Sequence, residues 1–395
     1  MKILFAPDSF KGSISSSRAI ELLCDVTRRH FPGCEMLGVP IGDGGEGTTE
    51  ALMKVLGGRE EHVNVSDPLG RKLDARYAVV NGGRAVIEMA QASGLPLLSP
   101  EEREPLKTSS YGTGELLCHA LDHGCKEIIL MLGGSATNDG GLGAAAALGI
   151  RFLDQEGRDV SHNGYGLERV ASADTSGMHP GLKQARITIM CDVTNPLLGA
   201  NGATYVYGAQ KGADAAAQDR LESGMANYAA VVERASGRVV RDIPGVGAAG
   251  GLAVPLIAFA EVKLQSGIET VLNLLDFDKL LEGVDLVITG EGRLDFQSAQ
   301  GKALCGIGRA CQKRGIPVCA VAGCFGDGAE DIYNCGVQGI VSCTNRLTAE
   351  GEALRNAEER FIQAADRMYR MIKIGMGLNR QMQHSSVLNR EELQA

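Results

Sequence analysis

The chain has no tryptophan and only 4% aromatic residues, too few for the stacking platforms on which proteins bind single-stranded nucleic acid. Its 11 cysteines include no CxxC pair, so the sequence offers no zinc signature. Their scattered, odd-numbered occurrence suits a reducing compartment, and Cys191 and Cys319, in apolar runs, read as small buried hydrophobes. Long apolar runs are also missing. The longest, LAVPLIAFA, is far too short to span a bilayer. MKILFAP opens directly as a strand, so we expect no signal peptide and a cytoplasmic location. Excess positive charge is absent as well. A net charge of −9 excludes nucleic acid and anionic membrane as general partners, although local charge can still favour a small anion.

Several catalytic signatures are missing too. HExxH, GxSxG and Walker A do not occur, and the seven histidines are scattered. GVGAAGG, 245–251, loosely fits the dinucleotide fingerprint but follows RDIPG rather than a strand. His119 and His123 have metal-ligand spacing on a helical stretch but no third ligand nearby, so they read as a surface pair.

What is present is glycine, 53 residues of it, within a 395-residue chain whose 44% hydrophobic content is that of a globular protein. Short apolar runs (KILFAP, EMLGVPI, EIILMLG, ITIMCDV, DLVITG, VCAVAG, GIVSC) mark strands, and most are followed by helical patterns at 15–30, 46–56, 140–149, 300–314 and 350–375. Apolar strands separated by helices mean a parallel sheet covered on both faces, an α/β fold. Residues 60–90 break the rhythm, with three strands joined by the short turns DPLG and NGG, hence antiparallel. This segment is expected to begin a second α/β domain, 61–284, inserted into a first made of 1–60 and 285–380. The polar tail 381–395 reads as a frayed extension.

Polar, glycine-rich clusters recur behind five of the strands. They carry Asp8, Ser9 and Lys11; Asp43 and Glu46; Ser135, Thr137, Asn138 and Asp139; Asp192, Thr194 and Asn195; and Glu291, Arg293, Asp295, Ser298 and Lys302. Ligands of parallel sheets sit beyond the carboxyl ends of the strands, so all five are expected on one edge, or on facing edges of two domains. Any one cluster alone reads as caps and turns. Together, carboxylates, hydroxyls, glycine amides and a few cations form the inventory of phosphoryl transfer, where the protein positions groups and neutralises charge with Mg²⁺ and cationic side chains. A carboxylate-rich lyase or isomerase would look similar.

APDSFKGS, PIGDGGEGT, SDPLGR, TSSYGTGEL, GGSATNDGGLG, CDVTNPLLG, GAQKGA, PGVGAAGGL, SGIE and VITGEGRLDFQS follow one another in this order. With them the chain resembles the bacterial glycerate kinase family, collinear to about residue 378. The resemblance implies two α/β domains, one Rossmann-like, with the active site in the cleft between them. It also implies ATP- and Mg²⁺-dependent phosphorylation of D-glycerate to 2-phosphoglycerate. Within it, residue type and position suggest roles. Gly133, Gly134, Ser135, Thr137 and Asn138 would cradle nucleotide phosphates, with Lys302 as counter-charge. Asp43, Asp192 and Glu291 would hold Mg²⁺. Lys11 and Arg293 would bind the glycerate carboxylate or the moving phosphoryl group, and Asp8 or Asp295 would accept the hydroxyl proton. Transfer to the 3-hydroxyl, a related hydroxy-acid substrate, a non-catalytic sensor of nucleotide or organic acid, and assembly into a homo-oligomer stay open.

Overall fold

A computed structural model describes residues 1–10, 12–42, 48–346 and 350–392. Lys11, Asp43 and Glu46 therefore lie outside the described residues. The strands in chain order are β1 (Lys2–Phe5), β2 (Glu35–Gly38), β3 (Gly58–Ser66), β4 (Lys72–Val80), β5 (Arg84–Glu88), β6 (Glu127–Met131) and β7 (Arg151–Leu153). They continue with β8 (Ser172–Asp174), β9 (Arg186–Met190), β10 (Glu261–Gln265), β11 (Leu286–Leu294), β12 (Val318–Phe325) and β13 (Gly339–Ser342). The contacts divide the chain into two units, Met1–Asp43 with Leu272–Ala395, and Gly44–Val271.

The first unit holds a five-stranded sheet in the order β13-β12-β11-β1-β2, all its pairs parallel. Near-continuous apolar runs such as Ile3, Leu4 and Phe5 are fully buried because helices cover both faces. The helix Ser16–His30 shows the local logic. Ser15 accepts the backbone N–H of Arg18 as N-cap, and Ala19, Leu22, Leu23 and Val26 recur at helical spacing on the buried face. Arg28, Arg29 and His30 complement the negative end of the helix dipole. The helix Ala357–Glu392 packs Phe361, Ala364, Ala365, Met368 and Tyr369 into the same core and runs on through most of the expected polar tail.

In the second unit a six-stranded sheet has the order β10-β9-β6-β5-β4-β3. β5, β6, β9 and β10 are parallel, while β3–β4 and β4–β5 are antiparallel, the meander expected over 60–90. A 22-residue helix, Ala215–Ser236, was not expected from the sequence. Its apolar residues are mostly Ala and Val, so its stripe is weak, yet Leu221, Met225, Tyr228 and Val232 bury one face. Asp214 caps it through the N–H of Ala217.

Cys305 and Cys335 form a disulfide with Cα atoms 5.0 Å apart, a pairing the scattered cysteines did not suggest. No helix among the described residues is long and apolar enough to cross a membrane.

Candidate active site

In the first unit, residues from the carboxyl ends of β1, β11, β12 and β13 line one cavity of about 440 Å³. Asp8, Glu291, Arg293, Asp295 and Lys302 all line it. Neighbouring strand ends explain the convergence. β11 outruns β1, and the Asp8 N–H donates to the Gly290 carbonyl at 2.8 Å, setting Asp8 beside Glu291. Glu291 and Arg293 stand in β11 itself, not behind it, and the period of two puts them on one face. Gly290 between the strands has no room for a side chain, since a Cβ would lie 2.3 Å from the Val321 carbonyl oxygen.

Glu291 is 8% exposed, and its Oε1 is buried without a hydrogen-bond partner. Burial pushes its carboxyl up to about 7; Asp8 and Asp295 push the same way, while Ser298 and Lys302 oppose them. A partly unsatisfied acid beside a second acid in a solvent-reaching cavity fits a site for a divalent cation, which would neutralise both. Among the described residues no three His, Cys, Asp or Glu gather as a cage, but Mg²⁺ needs only one or two carboxylates when phosphate oxygens complete its shell. Asp295 is more committed. Its Oδ1 accepts the Gln297 N–H at 3.0 Å and its Oδ2 lies 3.3 Å from Arg293 Nε. Lys302 donates to Gln297 Oε1 at 3.1 Å.

The second unit treats its strand ends differently. Gly133 and Gly134, behind β6, are exposed and line a cavity of about 460 Å³ together with Glu88, Asp74 and Gln91. Thr137 and Asn138 are fully buried beneath that turn. Asn138 Nδ2 donates to Thr204 Oγ1 at 3.0 Å, and Lys211 Nζ donates to the Thr137 carbonyl at 2.6 Å. Burial lowers the Lys211 ammonium to about 7 against the pull of Asp139. Asp139 is also fully buried, and it accepts from Ser110 N and Oγ, both at 2.8 Å, from Gly141 N at 3.1 Å and from Gly143 N at 3.2 Å. Burial raises its carboxyl even against those bonds. The acid of this turn thus ties the loop to the segment before the helix Tyr111–Asp122 and does not line either cavity.

Asp192, behind β9, is exposed and accepts the Gly267 N–H at 2.8 Å. The stretch 245–251 joins the two turns: Gly247 N donates to Asn195 O and Gly140 N to Gly250 O. Gly250 has φ +65°, and a Cβ there would sit 2.2 Å from the Thr137 carbonyl oxygen. These glycines serve close backbone approach. His119 and His123 stack at 4.0 Å, with His119 Nδ1 3.0 Å from Tyr77 OH.

The structure brings together Asp8, Glu291, Arg293, Asp295 and Lys302 in the first unit. Gly133, Gly134, Ser135, Thr137, Asn138 and Asp192 belong to the second, and Lys302, expected to balance the charge of the nucleotide phosphates, lines the first unit's cavity. Lys211, within GAQKGA, is a cation in contact with the glycine turn that its local sequence does not mark out. The sequence also left unmarked Arg360, a buried residue of the helix Ala357–Glu392 that lines the first cavity. Nothing local distinguishes that arginine from the exposed charges before it.

Comparison with known proteins agrees with this architecture. The sequence profile of the glycerate kinase family matches residues 3–373. A glycerate kinase of Halalkalibacterium halodurans is 43% identical over 92% of this chain and 96% of its own length. A glycerate 2-kinase of Escherichia coli is 41% identical over 95% of this chain and 99% of its own. The crystal structure of a putative glycerate kinase 2 from Salmonella typhimurium superposes with a TM-score of 0.86 at 41% identity, covering 95% of this chain and 99% of that one.

Proposed function

The chain belongs to the glycerate kinase family, and from that premise we propose that it transfers the terminal phosphoryl group of ATP to the 2-hydroxyl of D-glycerate, giving 2-phosphoglycerate and ADP. The observation that carries the proposal is the first unit's cavity, where the acids Asp8, Glu291 and Asp295 meet the cations Arg293, Lys302 and Arg360.

In this reading the hydroxyl oxygen attacks the γ-phosphorus, the bond to the β–γ bridging oxygen breaks, and the hydroxyl proton passes to Asp8. Lys302 and Arg293 neutralise charge on the transferring oxygens, which is most of the protein's work in a loose transition state. Glu291, with its unpartnered oxygen, is the residue to hold Mg²⁺, alongside the phosphate oxygens. When bound, the ion would add electrostatic stabilisation of those oxygens. The amides of Gly133, Gly134 and Ser135 are assigned to the nucleotide phosphates, with Thr137 and Asn138 supporting the turn from below.

A coupled ADP-release assay with D-glycerate, L-glycerate and tartronate, with and without Mg²⁺, tests the reading. Turnover is expected with D-glycerate and Mg²⁺. Absence of ADP release with any of these acids would remove the proposal. Phosphorus NMR of the product separates the 2-phosphate from the 3-phosphate.

A further inference from the structure

The cavity of about 460 Å³ in the second unit mixes apolar and polar walls. Leu73, Pro96, Leu97 and Met131 are apolar, Glu88 and Gln91 bring polar side chains, and Gly133 and Gly134 bring bare backbone. Small-molecule sites have this make-up and this volume, mostly apolar with a few placed polar groups. Among the described residues no backbone carbonyl accepts from the N–H groups of Gly133, Gly134 or Ser135.

Strand pairing fixes how these groups lie. β5 and β6 run parallel with Glu88 opposite Met131. The two segments stay joined beyond the strands: Met89 N donates to Met131 O at 3.1 Å, Leu95 N to Gly134 O at 2.8 Å and Ala136 N to Ser93 O at 2.9 Å. Gly133 follows the register partner of Glu88 by two residues, at most about 7 Å of chain. Glu88 is itself held, because its Oε1 accepts from Thr49 Oγ1 at 2.5 Å and from Thr49 N at 3.3 Å. An ionised carboxylate only accepts hydrogen bonds and repels phosphate, so beside a phosphate-binding turn it suits hydroxyl groups. Asp74, the other acid on the lining, already meets His62 Nδ1 at 2.8 Å. Dinucleotide sites divide the work in the same way, with glycine amides on phosphate and an acid on a ribose hydroxyl. The same two acids disfavour an anionic hydroxy acid as the occupant, and so small a molecule would leave most of the volume unfilled.

We propose that this cavity takes the nucleoside of the phosphoryl donor, with the base against Leu73, Pro96, Leu97 and Met131 and the ribose 2′- and 3′-hydroxyls on the Glu88 carboxylate. The inference rests on the glycerate kinase reading above, which assigns the adjoining amides to the nucleotide phosphates. It extends that reading to the choice of a ribonucleotide over a deoxyribonucleotide.

The test measures kcat/KM for ATP, 2′-deoxy-ATP and 3′-deoxy-ATP at saturating D-glycerate in wild type, Glu88→Ala and Glu88→Gln, following the diphosphate by chromatography. A hydrogen bond from each hydroxyl to a carboxylate should make wild type favour ATP over either deoxy analogue by roughly 10- to 100-fold. Glu88→Ala should bring the three nucleotides to within about threefold of one another, through loss of efficiency with ATP. The KM for D-glycerate at saturating ATP should stay within about twofold. A Glu88 that only braced the loop would lower all three nucleotides alike and leave their ratios unchanged. Glu88→Gln keeps an acceptor for Thr49 and should reduce the preference to several-fold; it carries the test if Glu88→Ala does not fold. Equal use of the three nucleotides by wild type, ratios unchanged in a folded variant, or an effect confined to the D-glycerate KM would overturn the inference while wild-type turnover kept the kinase reading intact. Wild-type enzyme that releases no ADP with D-glycerate would sink the kinase reading, and this inference with it.

Discussion

Asp139 and Glu291 are both buried acids near the carboxyl end of an apolar parallel strand, and chemically almost the same group. Asp139 has four hydrogen-bond donors aimed at its two oxygens and lines neither of the two cavities described. Glu291 has an oxygen with no donor and lines a cavity with a second acid. The difference shows what makes a buried carboxylate structural or functional. Once every lone pair is met by the protein, the charge is spent on holding loops together. Where the protein stops short, a ligand or cation can complete the shell, and the group is held at a cost until it does.

Exchanging each acid for its amide tests this contrast. Glu291→Gln should lower kcat by about a thousandfold, or about 4 kcal/mol of barrier, because an amide cannot hold a cation as a carboxylate does. Its thermal midpoint should stay at or above that of wild type, as the amide oxygen can still accept from Ser298. A fold that collapses with this change would make Glu291 another Asp139.

Asp139→Asn should do the reverse. The amide nitrogen would face backbone N–H groups that now find an acceptor, so the protein should lose about 3 kcal/mol in urea unfolding. The kcat of the folded fraction should remain near wild type. A large kcat loss at unchanged stability would place Asp139 in the chemistry and dissolve the comparison.

Lys211 sharpens the same point for a cation. Its folded ammonium, lowered to about 7 from 10.5, binds its proton more weakly than in the unfolded chain. Between those values the unfolded state holds the extra proton, so stability should rise with pH. Relative to Lys211→Met, wild type should gain about 2 kcal/mol from pH 7 to about pH 8.5, read by urea unfolding. Parallel stability curves would mean that the amine is charged inside the fold, paired more fully than its bond to Thr137 indicates.

Much of the fold was legible because its signals are local. Runs such as EIILMLG and VCAVAG can hardly be anything but covered strands, and the DPLG and NGG turns announce antiparallel neighbours. The helix Ala215–Ser236 escaped because alanine carries little periodic contrast, and its burial comes from the elements packed on it. The clusters behind the strands were legible as a set, since strand polarity alone sends them to the same edge of a sheet. Their individual duties were not. Asn138 donates to Thr204, and Lys302 lines a cavity with Glu291, and neither contact is visible in the residues around them in sequence.

By itself, then, the order of residues determined the α/β class, the paired strand directions and the concentration of charge and glycine at strand ends, because each follows from the few residues on either side. Tertiary structure alone decided which charges are satisfied. Ser110 reaches Asp139 from 29 positions away, and Arg360 joins Asp8 from the far end of the chain. Burial and partnership are properties of surroundings, and the surroundings of a side chain are assembled from segments that no local pattern links.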